Sequence, residues 1–187
     1  MDWRTFLIIG HIIGTALGVG GATASDFLFF KAIKDKKITA SEFDFLKAVS
    51  KIVWLGFLFL VFSGLGLLIF YRLNFGASEI VFRPGFLAKM TVALVIFFNG
   101  LLMHWKVFPL FEANLGKTLN QSPDFLKNSR WVFYTGVISI ISWYSALVLG
   151  AWQGLEFSYS KILLIYIFSL FAGIAAANLI GKKILKK

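Results

Sequence analysis

Cysteine is absent from this chain of 187 residues, and charged residues make up only 15% of it. Without cysteine the chain can form no disulfide, thiolate metal site or iron–sulfur cluster. In soluble domains about a quarter of the residues are charged. The low charge, together with 58% hydrophobic residues and a mean hydropathy of +0.80, therefore excludes an ordinary soluble domain and indicates a polytopic membrane protein.

Five uninterrupted apolar runs divide the chain, and a helix needs roughly 20 such residues to cross a bilayer. The runs cover residues 5–30, 52–71, 86–105, 131–152 and 162–180. They do not alternate in hydropathy as the strands of a membrane barrel would. The prediction is an all-α membrane protein, a single domain over residues 1–187 with about five transmembrane helices, whose first helix is retained and is not a signal peptide.

Lysine and arginine are distributed unevenly over the predicted loops. Fourteen fall in the first loop, the third loop and the C-terminal tail, and five fall on the opposite side. Because short loops rich in Lys and Arg usually stay cytoplasmic, the prediction places the N-terminus outside and the C-terminus inside. This orientation, with anionic lipid headgroups, accounts for the net charge of +10. The predicted partner is thus the lipid bilayer and not nucleic acid.

Capping signals predict that the second and fourth helices begin before their apolar runs. The signals are Thr39 with Glu42, Ser41 with Asp44, and Ser122 followed by Pro123. We expect the added turns of the second helix to be amphipathic, with Phe43, Phe45 and Leu46 against the membrane surface. The loop over residues 74–85 is predicted to be a connector, and a lid over the bundle is the alternative.

Polar side chains inside the apolar runs are the candidates for function, because such groups are costly in lipid. In the first run Gly10, Gly14 and Gly18 form a stripe, with His11 beside it and Thr15 one turn further on. Such a stripe favours close helix packing or the approach of a flat ligand. His11 could bind a metal or an iron-centred macrocycle through one ring nitrogen, or it could be a histidine bonded to neighbouring protein groups.

Depth in the membrane relates the other polar residues to His11. At 1.5 Å per residue, His11 and Lys89 lie about 9 Å and about 5 Å inside the same boundary. Lys89 is then an amine ligand, a cation for an acidic substituent, or a residue that snorkels to the interface. His104 lies ~15 Å away along the membrane normal, which argues against a bis-His site and favours an interfacial group. Asp26 is expected to pair with a lysine or to line the inner surface, and Asn99 to bridge helices.

Two segments resemble the CopD/HemJ-like group of small bacterial integral membrane proteins. They are Phe6-Leu-Ile-Ile-Gly-His11-Ile-Ile-Gly-Thr15 and Gly85-Phe-Leu-Ala-Lys89-Met-Thr-Val. In HemJ-type protoporphyrinogen oxidases a His of the first helix and a Lys of a later helix are associated with haem. The resemblance implies haem b with His11 as the metal ligand and Lys89, Gly14 and Thr15 as further cofactor-binding residues. It also implies a multi-pass protein of the bacterial inner membrane.

Two functions remain open at this point. One is a haem-b-binding redox protein, for electron transfer or for oxidation of a hydrophobic substrate such as a porphyrinogen or quinol, with a protoporphyrinogen oxidase type of oxidoreductase as its enzymatic form. The other is a non-enzymatic small transporter or a subunit of a larger membrane complex. A homo-oligomer is compatible with both. Copper transport is disfavoured because the chain has three Met, two His and no Cys, and a lipid hydrolase because no Ser-His-Asp set is visible.

Overall fold

The computed structural model describes residues 2–76, 81–152 and 156–185. Five of its helical stretches are long and apolar enough to cross a membrane, which confirms the predicted all-α membrane protein. The helices are α1 (Trp3–Asp35), α2 (Ala40–Phe75), α3 (Pro84–Leu102), α4 (Phe108–Ala113), α5 (Pro123–Ala151) and α6 (Tyr159–Leu185). Residues 77–80 of the predicted connector between α2 and α3 lie outside the described residues, and the orientation of the termini stays a prediction.

α1 and α2 form an antiparallel hairpin in which the two backbones touch. A Cβ atom added to Gly14 would lie 2.8 Å from both the carbonyl oxygen of Gly56 and the amide nitrogen of Leu60. A Cβ atom added to Gly56 would lie 2.6 Å from the amide nitrogen of Gly18. Glycine is therefore required on both helices, as in other membrane helix pairs that approach closely through small residues.

α5 runs through the middle of the bundle and contacts α1, α3 and α6. The indole ring of Trp143, only 2% exposed, packs directly on Gly18 of α1. On the opposite side the hydroxyl groups of Ser142 and Tyr166 share a buried hydrogen bond of 2.7 Å. These contacts place α5 between the α1–α2 hairpin and α6.

The loop between α1 and α2 meets the segment between α4 and α5 at one end of the bundle. The carbonyl of Lys36 accepts a hydrogen bond of 2.8 Å from the amide of Leu119, and that of Ile38 accepts one of 2.9 Å from the amide of Gly116. Ile38 and Leu119 are fully buried. The last turns of α6 pack on the first turns of α5 at the same end. We call it the lysine-rich end, because these segments contain most of the lysines.

α2 and α5 begin ahead of their apolar runs, as the capping signals predict. Thr39 is the N-cap of α2 and completes a capping box with Glu42, and Ser122 is the N-cap of α5. The second pair with capping-box spacing, Ser41 and Asp44, lies inside the first turns of α2. The cap at Thr39 thus fixes where α2 starts, well outside the apolar run.

The expected amphipathic surface at the start of α2 is only partly correct. Phe45 is exposed, but Phe43 and Leu46 are buried in the core. The ring of Phe43 makes an edge contact with the ring of Phe108, with centroids 6.0 Å apart. The prediction for Phe43 and Leu46 is wrong because α4 folds over them and removes them from the membrane surface.

The third apolar run extends past its predicted end through a π-helical segment, Met103–Val107, into α4. Pro109 lacks an amide proton, and its ring would clash with the carbonyl of Trp105 in a regular α-helix. The helix widens by one residue here, so that the amide of Phe108 bonds to the carbonyl of Met103, five positions back. Because of this wider turn, α3 continues into α4 without a break, and the chain reaches the lysine-rich end as a helix.

Glycine-to-alanine substitutions at two positions of α1 test the packing of the hairpin. We expect Gly14→Ala to lower the free energy of unfolding by about 1–3 kcal/mol, because the new methyl group collides with the backbone of α2. Gly20, which has open space around its Cα, is the matched control. Gly20→Ala should leave stability unchanged or raise it by up to about 1 kcal/mol, since alanine favours helix. Unfolding in detergent micelles measures both, and equal effects would contradict the proposed contact.

Candidate functional site

A cavity lies between α1, α2, α3 and α5, in the half of the bundle toward the lysine-rich end. Its accessible volume is about 70 Å³. Its walls are largely aromatic, with side chains from all four helices and from α4. These are Phe29, Trp54, Phe57, Phe97, Phe108, Phe111 and Trp143.

Two polar residues, Asp26 and Asn99, line this cavity and are buried, with 7% and 5% of their surface exposed. The side-chain nitrogen of Asn99 donates a hydrogen bond of 3.0 Å to the carbonyl of Thr135. Asn99 thus bridges α3 and α5, as predicted. Its oxygen Oδ1 and the carboxylate oxygen Oδ2 of Asp26 are buried and have no hydrogen-bond partner in the described part of the chain.

Asp26 and Asn99 come from different helices but reach neighbouring positions of α5. Asn99 bonds to Thr135, and Oδ1 of Asp26 lies 3.7 Å from where a Cβ atom of Gly136 would be. The carboxylate of Asp26 thus lies beside α5 at Gly136. No lysine pairs with Asp26 among residues 2–76, 81–152 and 156–185, where the ion pairs join Lys31 to Glu42 and Lys47 to Asp44. Asp26 therefore faces the cavity instead of a basic partner.

The two unpartnered oxygens define the chemistry that this cavity favours. A buried acceptor without a donor costs free energy, and a buried carboxylate costs more. An ammonium group, another cation or a group with N–H donors would satisfy both oxygens. The surrounding aromatic faces would also attract a cation. The cavity thus suits a small, mainly apolar molecule with a positive or hydrogen-donating group.

The sequence interpretation of Asp26 and Asn99 did not predict that the two residues line the same cavity. Their similar depth in the membrane could have indicated it. Asp26 lies four residues before the end of its apolar run and Asn99 six residues before the end of its run. With a rise of 1.5 Å per residue, both are about 6–9 Å from the same membrane boundary.

A second polar site surrounds His11 at the other end of the bundle. Nδ1 of His11 lies 3.0 Å from the hydroxyl oxygen of Ser63, and that hydroxyl donates to the carbonyl of Phe59. The Ser63 oxygen therefore accepts from Nδ1, and the lone pair of the imidazole is on Nε2. Lys89 lies on α3 at an exposed position, and its association with His11 stays a prediction.

The other two predicted cofactor-binding residues, Gly14 and Thr15, make contacts within the protein. The α2 backbone fills the space at Gly14, and the hydroxyl of Thr15 donates a hydrogen bond of 2.9 Å to the carbonyl of His11. The packing interpretation accounts for this part of the stripe. A neutral imidazole with a free Nε2 fits the donor chemistry of haem, but the α2 backbone occupies the face of the glycine stripe that a planar group would approach.

His104 is separate from the His11 site. It is exposed, its Nδ1 donates to the carbonyl of Gly100, and its ring lies 6.2 Å from that of Trp54. Trp54 and Ser63, the α2 residues beside the two histidines, are separated by ~14 Å of helix. The two histidines therefore belong to separate parts of the bundle. In the described ranges no group of three or more His, Asp or Glu side chains could hold a metal ion.

No protein-family model, curated protein or solved structure matches the chain. The resemblance to CopD/HemJ-like proteins therefore stays a prediction. The geometry of the cavity and of the His11 site is the basis for the functional proposals.

Replacing Asp26 with asparagine tests whether its carboxylate is an uncompensated group. We expect Asp26→Asn to raise the free energy of unfolding by about 1–3 kcal/mol at pH 8, because it removes a charge that has no protein partner. Asp35→Asn, on the same helix at an exposed position, should change it by less than about 0.5 kcal/mol. A loss of stability in Asp26→Asn alone, measured by thermal unfolding in micelles, would reveal a protein partner for this carboxylate.

Proposed function

We propose that this chain is a non-enzymatic membrane protein, a small carrier that binds a hydrophobic molecule with a cationic or N–H donor group in the central cavity. The observation that supports this most directly is the pair of unpartnered buried oxygens, Oδ2 of Asp26 and Oδ1 of Asn99, in an aromatic cavity. Ionisable groups buried in membrane proteins usually face a cavity and mark a path for substrate or ions.

The contact between α2 and α3 offers a route into the cavity from the lipid. The ring of Phe97 on α3 meets Trp54 edge-on at 5.8 Å and stacks on Phe57 at 6.1 Å. These side chains, and not a close backbone contact, fill most of the space between the two helices, which make fewer contacts with each other than α1 makes with α2. Rotation of aromatic side chains is faster than separation of packed helices. A molecule dissolved in the bilayer could therefore enter here without rearrangement of the bundle.

A lipophilic cation provides a direct test of the carrier proposal. We expect 2-phenylethylammonium to change the fluorescence of the tryptophans that line the cavity, and Asp26→Asn to weaken its binding at least about tenfold, or about 1.4 kcal/mol. Asp35→Asn should keep the affinity within about twofold. 2-Phenylethanol, which is neutral, should bind more weakly than the cation. Equal affinity of the cation for both variants would refute the proposal.

The geometry at His11 favours a second candidate, a haem-b protein. Ser63 orients the imidazole so that Nε2 is free to bind iron, and Lys89 of α3 would be the opposite ligand or a propionate partner. Bound haem would supply one-electron chemistry for electron transfer or for oxidation of a porphyrinogen or quinol. In this proposal the protein lies in the bacterial inner membrane, with its N-terminus outside and its C-terminus inside.

Absorption spectra of the purified protein, oxidised and reduced, test this second candidate. After expression with sufficient haem we expect a Soret band that is lost in His11→Ala, because the axial ligand is gone. His104→Ala is the matched control and should retain the band. A colourless protein with the native helical content, or a band that survives His11→Ala, would rule out haem at this position and leave the carrier proposal intact.

A further inference from the structure

An open groove separates α5 from α6 at the lysine-rich end. Its accessible volume is about 340 Å³. Its lining includes Arg130 and Phe133 from α5, with Ala177, Gly181 and Lys182 from α6. The groove and the central cavity share no lining residue.

The two cations of the groove, Arg130 and Lys182, are exposed. Within the residues that the structure describes, neither forms an ion pair with a carboxylate. No acidic side chain lines the groove. The groove therefore has an uncompensated positive charge and suits an anion.

The floor between these cations is apolar. Phe133 and Ala177 are buried, and the ring of Phe133 would lie 3.1 Å from a Cβ atom on Gly181. Because Gly181 has no side chain, the ring packs directly on the α6 backbone. The groove thus joins a cationic rim to an apolar floor, and a free inorganic anion would use only the rim.

The groove also lies at the level where a lipid headgroup would be. The apolar run of α5 begins at Trp131, next to Arg130, and the run of α6 ends just before Lys182. Trp131 is 41% exposed, and exposed Trp residues are enriched where hydrocarbon meets headgroups. Arg130 and Lys182 are thus at the boundary of the apolar layer on two adjacent helices.

We propose that this groove is a binding site for an anionic phospholipid. Arg130 and Lys182 would hold the headgroup phosphate, and one acyl chain would lie along Phe133 and Ala177. Basic pockets between transmembrane helices are suited to such headgroups. The site is independent of the ligand proposed for the central cavity.

Lipid retention in detergent tests this proposal. The full chain is titrated with phosphatidylglycerol or with phosphatidylcholine of the same acyl chains, and native mass spectrometry counts the lipids that stay bound. We expect phosphatidylglycerol to bind at least about fivefold more tightly than phosphatidylcholine. The double variant R130Q/K182Q should lose this preference. K127Q/K183Q removes two exposed lysines that are near in sequence but outside the groove, and it should keep the preference within about twofold.

Three results would overturn the proposal. They are equal retention of both lipids by the unmodified protein, equal loss of preference in the two double variants, and full displacement of phosphatidylglycerol by millimolar inorganic phosphate. If R130Q/K182Q fails to fold, Lys182→Gln at its exposed position near the end of α6 replaces it, with an expected loss of about threefold. An unchanged preference in that single variant would equally contradict the site.

Discussion

The backbone contact between α1 and α2 at Gly14 and Gly56 is the constraint on which the rest of the bundle depends. α2 covers one face of α1. α5 packs on another face, where the ring of Trp143 lies against Gly18. α3 packs mainly against α5, so that it is held away from α2 by side chains. The central cavity is the space that this arrangement leaves open. A wider α1–α2 contact would move α2 toward α3 and close that space.

The cavity places a carboxylate in apolar surroundings at a position where the described part of the chain supplies no donor to its Oδ2 atom. Gly136 lies beside the Asp26 side chain, while Thr135 engages only the nitrogen of Asn99. A chain selected for stability alone would pair or remove these oxygens, since buried polar groups are ordinarily satisfied. Two unpartnered oxygens in one cavity are suited to ligand binding, because a ligand with N–H donors would form the hydrogen bonds that these oxygens lack. For the same reason, Asp26→Asn is expected to raise the free energy of unfolding and to weaken the binding of a cation.

Local features of the sequence were sufficient to predict the five helices and the starts of α2 and α5. Hydropathy and the caps at Thr39 and Ser122 act over a few residues, so the sequence shows them directly. The burial of Phe43 could not be predicted, because it depends on α4, some 65 residues later in the chain. The choice between packing and ligand binding for the glycine stripe likewise depended on Gly56, in another apolar run. The orientation of the His11 ring by Ser63 could not be predicted either, because it depends on the position of α2 beside α1.

The hydrogen-bonded loops hold the helices together at the lysine-rich end of the bundle. Parting them would break the two backbone bonds of Lys36 and Ile38 and expose buried Ile38 and Leu119, whereas turning the ring of Phe97 breaks no hydrogen bond. These bonds oppose any movement that would open the cavity toward the lysine-rich end. A path between α2 and α3 into the hydrocarbon of the bilayer requires the smaller rearrangement. In the proposed carrier, the molecules that reach Asp26 would be those that first dissolve in the membrane, so that the bilayer itself would select what the protein binds.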